Sequence, residues 1–173
     1  MKEYPRRFYR RPLHLAHDLR AVRRTRRRIK RLHGGESIDR AFRERLMLTV
    51  TEVNGCRYCA YVHAKAALAV GVTDTDIIAL TAGSLQGCPP EQVPALLYAQ
   101  HWAETDAEPD SEARERIIEI YGEAKIEAVE LALRMIRVGN LMGNTVDYLL
   151  HRISFGRWGG AKQGSRGGTP YAG

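Results

Sequence analysis

The sequence has no long apolar run and few cysteines, and both shortages restrict what the chain can be. Charged residues interrupt every candidate window before it reaches the ~18–20 apolar residues that a membrane-spanning helix needs, so we expect no membrane span. The first 30 residues are basic and lack the apolar stretch of a secretory signal, which predicts a reducing, cytoplasmic setting. Three cysteines in that setting do not make a disulfide framework. Two of them form Cys56-x-x-Cys59, a spacing typical of redox or metal chemistry.

What the sequence does contain is an ordinary globular composition. Its 173 residues are 44% hydrophobic and 27% charged, which excludes disorder throughout and suits one domain with its own core. Segments of helical periodicity alternate with turn residues, and no strand-like alternation is evident, so the predicted fold class is all-α. The predicted organisation is a basic N-terminal helical arm at residues 1–34, a helical domain at 35–153 and a glycine-rich, loose tail at 154–173.

Capping and breaking residues set the expected helix boundaries. Ser37 is the expected cap of a helix that ends before Asn54-Gly55, and Thr73-x-x-Asp76 resembles a capping box. Pro90 suits the first position of a later helix. Gly139-Asn140 and Gly143-Asn144-Thr145 predict a tight turn between the last two helices. The predicted helices cover residues 37–53, 56–70, 73–80, 91–105 and 123–137, with a restart at Pro109-Asp110-Ser111 and a final helix that ends at Ile153.

Positive charge is concentrated at the N-terminus. Residues 1–31 contain 13 Lys and Arg against two acids, a net charge of +11, whereas the remainder carries −4. A helix over residues 15–32 would be amphipathic, with one basic arc and a thin apolar stripe. The basic arc contains Arg20, Arg23, Arg24, Arg27, Arg28 and Arg31, and the stripe contains Leu15, Leu19, Val22, Ile29 and Leu32.

The basic arm has two interpretations. It could attract nucleic acid or an anionic membrane surface. It could instead dock its apolar stripe on the body of the protein or on another subunit and leave the arginines in water. We favour docking, because no recognised nucleic-acid motif or aromatic interleaving accompanies the charge. Nucleic acid is therefore not an expected partner.

The segment from Asn54 to His63 carries the chemistry. On a helix that begins at Asn54-Gly55, Cys56 and Cys59 are three residues apart and His63 is four residues after Cys59, so the three side chains share a face. The first helical turn favours a thiolate, and a nearby imidazole can accept the thiol proton. Cys59, nearer to His63, is the candidate nucleophile. Cys56 is then the resolving thiol that closes a disulfide on oxidised Cys59.

Two structural interpretations of these cysteines are alternatives. Cys56, Cys59 and His63 could supply three zinc ligands, but structural zinc sites generally use two ligand pairs, and the spare Cys88 and His101 do not form a second ligand-spaced pair. The cysteines could also be plain core residues, because free cysteine is among the most buried residue types. Their polar neighbours argue against a purely apolar setting.

Two longer motifs resemble a known family. The run Arg43-Glu44-Arg45-Leu46, followed by Asn54-Gly55-Cys56-x-Tyr58-Cys59-x-x-x-His63, resembles the carboxymuconolactone decarboxylase and alkyl hydroperoxidase D (AhpD-like) superfamily. Gly139-Asn140-Leu141-x-Gly143-Asn144-Thr145-x-Asp147 is similar to a subgroup of it. The resemblance implies an AhpD-like helical bundle whose catalytic residues are Cys59, Cys56, His63 and Glu44, with Glu44 completing a proton relay. Glu52, four residues before Cys56, has no role in that pattern and is expected to be a surface residue.

The resemblance implies a thiol-dependent peroxidase or disulfide oxidoreductase that reduces hydroperoxides. Its implied partners are a peroxide, an external lipoyl-type or thioredoxin-like dithiol, and further copies of the chain in a trimer or hexamer; no metal or organic cofactor is required. Tyr58 stands where mycobacterial-type members carry a histidine, which argues against their electron-carrier role. Decarboxylases of the family lack the cysteine pair, which argues against decarboxylation. The alternative is a non-enzymatic helical oligomer that binds nucleic acid or anionic surfaces, with the cysteines as a redox sensor or a zinc site.

Overall fold

The computed structural model describes residue 4 and residues 6–25, 27–29, 32 and 37–159. These residues form helices and no strand, which confirms the all-α prediction. None of their helices has the length and apolarity to cross a membrane. The predicted boundary between residues 34 and 35, Arg31 of the arm and residues 160–173 of the tail lie outside the described residues. Seven helices have both ends among the described residues: α1 (Pro12–Arg24), α2 (Arg40–Asn54), α3 (Arg57–Ala69), α4 (Asp74–Thr81), α5 (Val93–Glu104), α6 (Ser111–Tyr121) and α7 (Glu123–Ile153). Residues 27–29 and 32 are also helical.

The residues that cap α2 and α4 explain where these helices begin. The Asp39 carboxylate accepts a hydrogen bond from the backbone N–H of Phe42 at 2.9 Å, so α2 begins after Asp39 and the prediction of Ser37 as its cap is wrong. The carboxylate of an N-cap aspartate accepts a hydrogen bond from the backbone N–H three residues later, as the hydroxyl of an N-cap serine does. The Thr73 cap is confirmed, because its hydroxyl oxygen accepts from the backbone N–H of Asp76 at 3.1 Å.

Helix α5 begins two residues later than predicted. The N–H of Gln92 donates to the carbonyl oxygen of Pro89 at 2.8 Å, and that of Val93 donates to Pro90 at 3.3 Å. The two prolines therefore belong to a tight turn, and Pro90 does not open the helix. Pro94 occupies the first helical turn instead, where its missing N–H leaves no intrahelical bond unmade.

Helix α7 is continuous over 31 residues, so the predicted turn at residues 139–145 is wrong. Asn140 and Asn144 favour turns when their amides bond to their own backbone. Here both side chains are buried and bond to α2 instead: Asn140 contacts Thr51 and Asn54, and the Asn144 amide donates to the Asn54 carbonyl at 2.8 Å. Because these amides are engaged in tertiary contacts, they do not bond to their own backbone, and the helix continues through both asparagines.

Helix α2 is the centre of the fold. It packs against α3, α4, α5 and α7, and every residue from 42 to 51 is buried. Leu46, Leu48 and Val50 form the core together with Trp102 of α5 and Leu133 of α7. Each such side chain contributes about 1.5–3 kcal/mol of stability when it is fully buried. A polar side chain in the middle of α2 is therefore held in a rigid, desolvated setting.

Helix α1 packs against α7, and the predicted helix over residues 15–32 is interrupted at Thr25, after which residues 27–29 and 32 are again helical. Helix α1 ends at Arg24, where the Thr25 hydroxyl donates to the carbonyl oxygen of Val22 at 2.9 Å. Of the predicted apolar stripe on α1, Leu15 and Val22 are partly buried and Leu19 is exposed, whereas the arginines of the opposite arc on this helix are all exposed. This is the arrangement of the docking interpretation of the arm, with α7 as the surface it docks on. The exposed arginines of α1 are Arg20, Arg23 and Arg24.

Candidate active site

The cysteine pair lies at the turn between α2 and α3. Gly55 ends α2 with a left-handed backbone (φ 71°), which a residue with a side chain adopts only with strain. Cys56 then caps α3, and its sulfur accepts from the backbone N–H of Cys59 at 3.3 Å. The two cysteines form a disulfide with their Cα atoms 5.3 Å apart. The predicted Asn54-Gly55 break thus places both sulfurs at the start of one helix.

Glu44 meets His63 across the same turn. Glu44 lies on α2 and is 3% exposed, and its Oε2 is 2.7 Å from Nδ1 of His63 on α3. The turn at Gly55 folds α3 back along α2, which brings together two side chains 19 residues apart. An ionised carboxylate can only accept, so Nδ1 carries the hydrogen and Nε2 is the ring atom left for proton exchange.

Arg43 is a neighbour of this pair that the sequence did not identify as functional. Its Nε and Nη2 donate to Oε1 of Glu44 at 3.1 and 2.8 Å, and its Nη1 donates to the carbonyl oxygen of Leu32 at 3.2 Å. Glu44 therefore shares its two oxygens between a guanidinium and an imidazole. The only signal in the sequence was the position of Arg43 in the Arg43-Glu44-Arg45 run, and that run gives it no role.

The protonation of Glu44 follows from these contacts. Burial alone would raise the pKa of its carboxyl group. The hydrogen bonds from His63 and from Arg43 outweigh burial, and the pKa of Glu44 lies below its ordinary value of 4.5. Glu44 is consequently a carboxylate at neutral pH, and it orients the imidazole without a proton of its own.

A pocket of about 240 Å³ opens onto these groups. Cys59 lines it together with His63, Glu44 and Arg43, whereas Cys56 does not line it. The remaining walls are mainly apolar. They are formed by Met47, Tyr58, Val62, Met135, Ile136 and Gly139. A small molecule that enters this pocket therefore contacts Cys59, His63 and Glu44 together.

Helix α7 packs against the turn that carries Cys56 and Cys59. At Gly143 a Cβ would lie only 3.2 Å from the Cys56 sulfur, so glycine is what lets the helix approach this closely. Asn140, fully buried, accepts from the Asn54 amide at 3.2 Å and donates to the Thr51 hydroxyl at 3.1 Å. The glycine and asparagine pattern that predicted a turn thus holds the Asn54-Gly55-Cys56 turn in place.

The other candidate residues lie elsewhere. Glu52 is exposed, as expected for a surface residue. Cys88 is buried and unpaired, and burial raises the pKa of its thiol. His101 pairs with Asp110 at 2.8 Å. Within the described residues, no group of three or more His, Cys, Asp or Glu side chains is arranged to hold a metal ion.

Comparison with known proteins identifies the family. The model of the carboxymuconolactone decarboxylase family matches residues 19–105, half of the chain. The chain belongs to this family, and the matched stretch contains Glu44, Cys56, Cys59 and His63. No curated protein and no solved structure matches the chain.

Proposed function

We propose that the protein is a thiol-dependent peroxidase that cycles between the Cys56–Cys59 disulfide and the dithiol. One observation carries the proposal: Cys59 lines the same pocket as His63, and a buried carboxylate fixes the orientation of that imidazole. A nucleophile beside a base that a third group orients is the usual arrangement for activating a thiol. The family supports the proposal, because it includes AhpD-like enzymes.

In the proposed cycle the reduced protein begins with a thiolate at Cys59, whose proton has passed to Nε2 of His63. The thiolate attacks the terminal oxygen of a hydroperoxide ROOH. The O–O bond breaks, Cys59 becomes a sulfenic acid, and the alkoxide leaves as ROH after it takes the proton from His63. Cys59 is oxidised by two electrons and the peroxide is reduced by two. Glu44 stabilises the imidazolium that exists between the two proton transfers.

The second half of the cycle restores the thiols. Cys56, as a thiolate, attacks the sulfur of the Cys59 sulfenic acid, which forms the disulfide and releases the hydroxide that becomes water. An external dithiol, of lipoyl or thioredoxin type, then reduces the disulfide and is itself oxidised. The structure corresponds to the oxidised form of this cycle. Cys56 does not line the pocket, which suits a thiol that reacts with the sulfur of Cys59 rather than with the substrate.

We also propose that the protein acts as a homo-oligomer, a trimer or hexamer. Apolar side chains are exposed at 3- and 4-residue spacing along the second half of α7, and others are exposed on α3 beside the pocket. A surface of this kind is typical of a contact between subunits. The exposed residues are Met142, Val146, Leu149 and Ile153 on α7, and Tyr58, Tyr61 and Val62 on α3. Sedimentation analysis measures the subunit number directly, and a monomer at micromolar concentration would contradict the proposal.

Single cysteine variants test the proposed function. Cys59→Ser should abolish peroxide consumption, whereas Cys56→Ser should allow one turnover and leave a sulfenic acid that a dimedone-type probe traps at Cys59. Cys88→Ser is the matched control, because it removes a buried cysteine that is outside the pair. Wild-type turnover in Cys59→Ser, or equal loss in Cys88→Ser, would contradict the assignment.

A further inference from the structure

A second cavity, of about 800 Å³, lies between the N-terminal segment and α7. It shares no lining residue with the pocket at Cys59. Its volume falls in the range of ~300–1,000 Å³ that is typical of small-molecule sites. Most of its polar lining is basic. The basic residues are Arg6, Arg7, Arg10, Arg11, Arg137 and His14, and the lining contains one acid, Asp106.

The N-terminal wall of this cleft is fixed to α7 by specific contacts. The Asn144 amide donates to the carbonyl oxygen of Arg7 at 2.8 Å, and the backbone N–H of Tyr9 donates to the Thr145 hydroxyl at 3.1 Å. The ring of Phe8 stacks on Tyr148 with centroids 4.1 Å apart. Three consecutive residues are thus anchored, and the arginines on either side of them are presented from an ordered backbone.

Two of the cleft arginines have carboxylate partners. Arg137 pairs with Asp18 and, at 2.8 Å, with Asp106. Arg6 pairs with Asp147 through Nη1. Its side chain is only 6% exposed, and its Nη2 group is buried with no hydrogen-bond partner in the described part of the chain. A buried donor of this kind is costly to leave unsatisfied.

The other arginines of the cleft have no carboxylate partner among the described residues. Arg7 donates to the carbonyl oxygens of Ala103 and Glu104, which leaves its charge unneutralised. Arg10 and Arg11 are exposed at the rim. The cleft therefore carries an excess of positive charge, which a concave, partly desolvated surface concentrates.

The beginning of α1 adds to this potential. Arg11 is its N-cap residue, and its side chain makes no capping hydrogen bond; the first turn contains no acid. The positive end of the helix dipole thus meets the cleft without the carboxylate that commonly balances it. His14, in the first turn, also lines the cleft.

We infer that this cleft is a binding site for a small anion with several negative charges, of the polyphosphate type. Guanidinium groups recognise phosphate oxygens through paired N–H donors, which Arg10 and Arg11 can supply. The positive charge of Arg7, whose terminal nitrogens bond to backbone carbonyls, adds to the attraction for a chain of two or three phosphates. The concave cleft differs from the outer arc of α1, whose Arg20, Arg23 and Arg24 are exposed and do not line it. The proposal is independent of the thiol chemistry.

Titration calorimetry with inorganic tripolyphosphate and with ATP tests this inference. The measurement is made at an ionic strength of about 0.15 M, where charges more than ~8 Å apart are largely screened. The test variant is Arg10→Ala/Arg11→Ala, which removes two exposed arginines of the rim. The matched control is Arg23→Ala/Arg24→Ala, which removes the same charge from the outer arc of α1.

The wild-type protein should bind one tripolyphosphate per chain, with saturation. The cleft variant should lose about tenfold or more in affinity, the loss expected for one charge-assisted hydrogen bond, and the control less than about threefold. Equal affinity for ATP and tripolyphosphate identifies the phosphate chain as the recognised group, and tighter binding of ATP identifies a nucleotide. The inference would be overturned if the two variants lost equal affinity, or if binding did not saturate. It would also be overturned if a short DNA duplex bound more tightly than tripolyphosphate and that binding depended on Arg23 and Arg24.

Discussion

Replacement of Gly143 by alanine tests how closely α7 approaches the cysteine pair. A Cβ at this position would lie 3.2 Å from the sulfur of Cys56 and 4.0 Å from that of Cys59. Carbon atoms in favourable contact are about 3.5–4.0 Å apart, and sulfur is larger than carbon, so the helix or the sulfur must move by a few tenths of an ångström. Overpacking of this kind lowers the free energy of unfolding by about 1–3 kcal/mol.

Gly139 is the matched control on the same helix. It lies one turn earlier, and a Cβ there would meet no atom within 4 Å. Gly139→Ala should therefore raise the free energy of unfolding by about 0.5–1 kcal/mol, because alanine loses less backbone entropy in a helix. Gly143→Ala has the same gain from backbone entropy, so the difference in the free energy of unfolding between the two variants measures the cost of the contact between the new Cβ and the Cys56 sulfur. In a chain of this length, each kcal/mol of that 1–3 kcal/mol difference lowers the Tm by about 2–4 °C.

The assay is urea and thermal unfolding of the oxidised proteins, with the Cys56–Cys59 disulfide verified by mass spectrometry. Gly143→Ala should be less stable than Gly139→Ala by the amount given above. If the two variants differ by less than about 0.5 kcal/mol, the spread usual for independent sites, the close contact between α7 and the sulfurs is refuted.

Three further predictions concern the relay and its support. Arg43→Met should move the acid limb of the pH–rate profile to higher pH, because Arg43 helps to lower the pKa of Glu44. Arg43→Lys should reverse part of that shift, since it keeps a positive charge. An acid limb at the wild-type pH in Arg43→Met would contradict this role. The lowered pKa of Glu44 contributes stability that is fully present above pH 4.5 and is lost as the pH falls through the folded-state pKa. Urea unfolding of Glu44→Gln should therefore show a weaker dependence of the free energy of unfolding on acid pH than the wild type does. The same pH dependence in both proteins would contradict the pairing of Glu44 with His63 and Arg43. Asn140→Ala should lower the free energy of unfolding by about 2–4 kcal/mol, because it leaves buried groups of Thr51 and Asn54 without their partner, and a loss below 0.5 kcal/mol would show that water replaces the amide.

Local signals in the sequence were enough to place the cysteine turn. Asn54-Gly55 predicted the break, and the spacing of Cys56, Cys59 and His63 predicted a shared face, because both depend only on residues next to each other along a helix. Glu44 is different. Its place beside His63 depends on the angle between α2 and α3, and only the family resemblance indicated it.

The contacts that the sequence did not predict are long-range or depend on side-chain length. Arg43 and Glu44 are adjacent in sequence, and adjacent helical residues do not face each other, so no spacing rule predicts that the guanidinium bends round to Oε1. The N-terminal segment meets α7 about 137 residues later in the chain, as in the bond from Asn144 to Arg7, and nothing near Arg7 indicates its partner. These contacts belong to tertiary packing, which overrides local preference.

Helix α7 shows most clearly how packing outweighs local preference. Two glycines and two asparagines within six residues weaken a helix by roughly 3 kcal/mol relative to alanine. Against this, the buried side chains of Ile136 and Leu141 contribute about 1.5–3 kcal/mol each, and each satisfied amide bond adds about 0.5–1.5 kcal/mol. Packing therefore wins, and the unfavourable residues persist because alanine at position 143 would collide with Cys56 and an apolar residue at position 140 would leave the Asn54 amide unsatisfied. A glycine and asparagine pattern inside an apolar helical period is thus better explained by what the helix touches than by a turn, and here it touches the cysteine pair.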